Sequence, residues 1–70
     1  MANTYTAVTK QEGRWWIGWI EEVPGVNCQE RTHDELVASL RTTLTEAIEL
    51  NRQDALGAAA PNYTEEPVTV

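Results

Sequence analysis

Seventy residues carrying eleven acidic against five basic side chains make one small acidic domain with a formal charge of −6. A chain this short leaves roughly 40% of its unfolded surface exposed, and a single cysteine (Cys28) and a single histidine (His33) rule out both an intramolecular disulfide and a Cys/His zinc quartet. Oligomerisation is the remaining way to supplement so small a core, and the negative surface disfavours a phosphate backbone while favouring a basic protein partner.

Thr4 to Thr9 and Arg14 to Ile20 are rich in β-branched and aromatic residues, which predicts two strands. Gly13 between them supplies the positive φ of a tight turn. With Glu12-Gly13 as the turn, Lys10 would pair with Trp15, Val8 with Ile17 and Thr6 with Trp19. The other face would carry Thr9 with Trp16, Ala7 with Gly18 and Tyr5 with Ile20. Val23-Pro24-Gly25 is a second turn, and Val26 to Glu30 a short third strand with Val26 and Cys28 on one side. The hairpin and third strand are thus expected over 3–30.

Thr32-His33-Asp34-Glu35 has the spacing of a capping box, in which the Thr32 hydroxyl accepts from the Glu35 amide and the Glu35 carboxylate reaches back to the Thr32 amide. The helix that follows is amphipathic, with Leu36, Val37, Leu40, Leu44, Ala47 and Ile48 recurring at helical spacing. It is expected over about 33–52, or as far as Leu56 with Gly57 as the stop. A connector follows over about 57–62. Residues 66–70 are expected to form a short edge strand, because Pro67 suits an edge or a first strand position. The fold class is therefore α+β: one domain over 1–70, in the order β-β-β-α-β, with one helix on a small antiparallel sheet of three to four strands.

One helix covers one sheet face. Tyr5, Ala7, Trp16, Gly18 and Ile20 form the face expected beneath it, with Gly18 and Ala7 letting the helix approach. The opposite face carries Thr6, Val8 and Lys10, with Trp15, Ile17 and Trp19 as an apolar stripe that continues into Glu21 and Glu22. An uncovered aromatic patch on a small domain marks a protein-binding surface. The alternative is that the chain's own tail or a loop covers it.

Catalytic signatures are sparse. Cys28 lies in an alternating strand and is expected in the core, His33 is expected to be exposed at the helix start, and the adjacent acid pairs on strands would face opposite ways. No phosphate loop, dinucleotide fingerprint or HExxH motif occurs, so neither catalysis nor a cofactor is expected. No apolar run approaches the roughly 20 residues of a membrane span, and the N-terminus shows no signal-peptide pattern; with an unpaired cysteine this suggests a cytoplasmic protein.

Trp15 to Ile20, then Val23-Pro24-Gly25, a short strand, Thr32-His33-Asp34-Glu35-Leu36 and a Leu/Ala-rich helix ending near Asn51 together resemble the HicB-like antitoxin domain, over about the first three quarters of the chain. The chain departs from that pattern at Glu21, where a proline is usual, at Val26, where a cysteine is frequent, and at Glu30, where a glycine is. The resemblance implies a sheet similar to a partial ribonuclease H fold without its carboxylate cluster. It also implies neutralisation of a small basic HicA-type mRNA-cleaving toxin by covering its active site. The DNA-binding segment that longer members append has no counterpart in the short acidic tail, so direct DNA binding is not implied. The alternative function is an orphan oligomeric protein-binding module or regulatory adaptor without a toxin partner.

Overall fold

The computed structural model describes residues 4–70, so the hairpin's expected start at residue 3 lies outside the described residues. Strands β1 (Ala7–Glu12), β2 (Trp15–Ile20) and β3 (Asn27–Glu30) form an antiparallel sheet in the order β1-β2-β3, and helix α1 (His33–Ala59) packs on one face of it. The α+β class and the β-β-β-α order are as the sequence implies.

The hairpin register differs from the expected one. Val8 pairs with Trp19, Lys10 with Ile17 and Glu12 with Trp15, so the two-residue turn is Gly13-Arg14. Gly13 has φ +60° and Arg14 has no positive φ, the pattern of a type II′ turn with glycine at its first central position. That turn twists with the strands and draws Glu12 into the ladder. The slide along β1 is two residues, which equals the side-chain period, so every residue keeps its assigned face. At the second turn Pro24 precedes Gly25 at φ +91°, and the Val26 N–H donates to the Val23 carbonyl at 3.4 Å, a type II turn.

The helix begins where the capping box places it. Thr32 is extended and its hydroxyl accepts from the Glu35 N–H at 3.1 Å. The return bond differs: the Thr32 hydroxyl itself donates to the Glu35 carboxylate at 2.9 Å. The end of the helix is seven residues later than 52, with Gly57 inside it. One glycine near a helix end costs only about 0.5–1 kcal/mol relative to alanine, and Ala55, Leu56, Ala58 and Ala59 around it are strong helix formers. Pro61 is the real stop, because it forces Ala60 out of the helical region, to ψ 151°.

The fourth strand does not form. Residues 62–70 have no regular structure, and Val68 and Val70 are 85% and fully exposed. The longer helix is the reason. Twenty-seven residues at about 1.5 Å each carry the chain about 40 Å, twice the length of a six-residue strand, so the tail emerges far from the sheet edge.

Ile20, Val26, Leu36 and Leu40 are the fully buried core, with Tyr5, Trp16, Val23, Cys28, Leu44 and Ala47 packed around it. Gly18 is the point of closest approach. A Cβ there would lie 2.9 Å from the Val8 carbonyl oxygen and 3.1 Å from methyl carbons of Leu36 and Leu40. Ala7, expected beneath the helix as well, is exposed, because α1 lies over β2 and β3 and leaves the helix side of β1 open. Ser39, on the flank of α1, is half-buried and donates to the Glu30 carboxylate at 2.6 Å, tying the helix to β3.

Candidate functional site

The sheet face away from α1 has β2 at its centre, and β2 is where the sequence concentrates its aromatic residues. Alternation on this strand puts Trp16, Gly18 and Ile20 toward the helix and Trp15, Ile17 and Trp19 on the open side. The ladder fixes their neighbours. Val8 and Asn27 flank Trp19, Lys10 and Gln29 flank Ile17, and Glu12 flanks Trp15. Trp15 and Trp19 remain 40% and 41% exposed, while Ile17, between them, is half-buried. The C-terminal tail does not cover them: every residue from 57 to 70 is exposed. All three stripe residues named from the sequence therefore share one open face.

The two ends of the stripe differ in charge. At the Trp15 end, the Arg31 guanidinium carbon stands 5.1 Å from the indole centroid, within cation–π range, and Lys10 and Glu12 are 3.6 Å apart. Arg31 was not among the residues expected here, although continuing the alternation of β3 through Asn27 and Gln29 leads to it. At the Trp19 end lies the turn carrying Glu21 and Glu22. Glu21 is exposed and its N–H donates to the Thr6 carbonyl at 2.9 Å. Glu22 has a structural task that the sequence did not reveal: its carboxylate accepts from the Thr6 N–H at 2.7 Å, closing the ladder beyond β1. That hydrogen bond to the ionised form holds the Glu22 carboxyl below the usual glutamate range.

The other residues weighed for chemistry lie apart from this face. Cys28 is half-buried on the helix side, its Sγ 3.5 Å from the Thr43 hydroxyl. His33 is exposed at the first helical position, 3.7 Å from the Asp34 carboxylate and edge-on to Trp16 with ring centroids 5.1 Å apart. Among the described residues, no group of three or more His, Cys, Asp or Glu is placed to hold a metal ion, and no helix is long and apolar enough to cross a membrane. The open face thus offers flat aromatic area, a cation over one indole and acids at the opposite end, which is the equipment of a binding surface. Comparison of the chain with family models, curated proteins and solved structures finds no match.

Proposed function

We propose that the chain is a protein-binding module of antitoxin type, whose open face docks on a small basic ribonuclease and covers its active site. The observation that carries this is the exposure of Trp15 and Trp19 around Ile17 on a sheet face with no cover of its own. Tryptophans in such a setting are the residues most often responsible for binding energy. The formal charge of −6 supports a basic partner, and Glu21 and Glu22 at one end of the stripe give its cations a place to sit. The resemblance of the hairpin, turn and capping box to the HicB-like domain supplies the partner class, a HicA-type mRNA-cleaving toxin.

The test is titration of the chain against a purified HicA-type ribonuclease, with RNA cleavage as a second readout. The expected result is a stoichiometric complex that suppresses cleavage, weakened by about 2 kcal/mol or more in Trp19→Ala. Absence of a complex at low salt, or equal binding by Trp19→Ala, would overturn the reading.

A further inference from the structure

Among the described residues β1 pairs with β2 alone, so its far edge is open. The phase of the ladder says which groups face that edge. The Ile20 N–H donates to the Val26 carbonyl and the Glu21 N–H to the Thr6 carbonyl, so β2 turns its even residues to β3 and its odd ones to β1. Val8, Lys10 and Glu12, opposite the odd residues, bond inward, and Ala7, Thr9 and Gln11 direct their N–H and C=O groups to the open edge. The side chains of these three lie on the helix side. There an open groove of about 680 Å³ runs between the start of β1 and the flank of α1, with Tyr5 and Ala7 on its sheet side and Val37, Arg41, Leu44 and Ile48 on its helical side. An open edge beside an apolar groove suits one more strand, bonded to β1 and apolar at alternate positions.

We propose that this strand is Glu66–Val70 of a second copy of the chain, antiparallel to β1, with two copies exchanging their exposed tails. Glu66 lies opposite Thr9, Val68 opposite Ala7, and Val70 beside Tyr5, so both valines enter the groove. Proline fixes the direction. In the antiparallel pairing Glu66 and Val68 exchange hydrogen bonds with Thr9 and Ala7, and Pro67 turns its missing N–H to solvent. A parallel strand with the same side chains inward would need that N–H. Charge agrees with the register. Gly18, the cross-strand partner of Thr9, packs against Leu40, so Glu66 stands level with Leu40 and within reach of Arg41. Arg41 forms no ion pair among the described residues. Reach excludes the chain's own tail. Ala60 is about 28 Å along the helix from Arg41, whereas the six residues from Pro61 to Glu66 span at most about 20 Å. The proposal goes beyond the binding reading above and leaves the tryptophan stripe free, so either can fail alone.

Sedimentation equilibrium of the full chain at micromolar concentration is the test, with circular dichroism as the folding control. The wild type is expected to be a dimer. Val68→Pro removes an N–H that faces Ala7 and should weaken the dimer at least about tenfold, whereas Thr69→Pro removes one that faces solvent and should leave it unchanged. Both positions are exposed in the single chain, so neither variant threatens its fold. Arg41→Glu should weaken the dimer about tenfold by replacing two ion pairs with two like-charge contacts, and adding Glu66→Arg should restore it. Trp19→Ala should leave it intact. The proposal is overturned by a monomeric wild type, by a dimer that responds alike to the two prolines, or by one that Trp19→Ala dissociates. An Arg41→Glu dimer that is unchanged, or that Glu66→Arg does not restore, would overturn it too.

Discussion

Gly18→Ala is the most direct probe of how the helix sits on the sheet. The added methyl would lie 2.9 Å from the Val8 carbonyl oxygen and 3.1 Å from both Leu36 Cδ2 and Leu40 Cδ1. A leucine methyl can give by a few tenths of an ångström. The Val8 carbonyl belongs to the β1–β2 ladder and yields only if the ladder opens. Overpacking of this kind typically costs about 1–3 kcal/mol, and the rigid neighbour puts the expected loss near the upper end, about 2–3 kcal/mol. In a domain of this size that lowers the melting temperature by roughly 10–20 °C. Gly57→Ala is the matching control, because nothing lies within 4 Å of the added carbon and the position is an exposed helical one. It should stabilise by roughly 0.5–1 kcal/mol. Urea denaturation of both variants, followed by circular dichroism, reads the two signs. A Gly18→Ala protein as stable as the wild type would show that α1 does not approach β2 this closely.

Thr32→Ala removes the acceptor for the Glu35 N–H and should cost about 0.5–2 kcal/mol, read as a lower denaturation midpoint at constant slope. Trp16→Ala should destabilise the isolated chain more than Trp19→Ala does, because Trp16 packs against the core and His33 whereas Trp19 faces outward; thermal melts of the two compare them directly. Glu22 has a depressed carboxyl pKa in the folded state, so its contribution is complete above the ordinary glutamate value of about 4.3 and is lost as pH falls through the lower folded value. Glu22→Gln should therefore flatten the acid limb of the stability–pH curve, measurable by urea denaturation across that range. If the partner is basic, its dissociation constant should rise with salt, and calorimetric titration at two ionic strengths would show it.

Much of this architecture was legible because each signal had a local cause. Thr32 and Glu35 fix the helix start, Pro24 and Gly25 fix a turn, and the alternation of β2 assigns its faces whatever the register. The register itself was not legible, because Gly13 suits either central position of a two-residue turn, and the choice depends on matching the twist of the flanking strands. The helix end was misread for a related reason: a glycine is a weak stop and a proline a strong one, and both lay within reach. That one error removed the fourth strand, since the tail's position depends on the helix length. Of the site, the stripe could be found by counting. The Glu22 bond to Thr6 and the place of Arg31 over Trp15 required the turn and strand geometry to be in hand. The groove beside β1 was hidden because its helical wall, Val37, Leu44 and Ile48, reads in sequence as part of the same apolar face as Leu36 and Leu40.

The two apolar surfaces lie on opposite sides of a single three-stranded layer, and this bears on what the small core has to accomplish. Among the described residues the buried hydrophobic side chains are Ile20, Val26, Leu36 and Leu40 alone, so the isolated chain has few contacts with which to resist opening. Any partner that binds the folded chain and not the unfolded one adds stability by mass action, about 2.7 kcal/mol at a hundredfold excess over its dissociation constant. The tail of a second copy in the groove would cover Leu44 and Ile48, while a partner on the open face would dry Trp15 and Trp19. Because the surfaces share no side chain, the two gains would add, as they do for independent sites. The same half-covered sheet that leaves the monomer weak is thus what allows binding on either face to decide how long the chain stays folded.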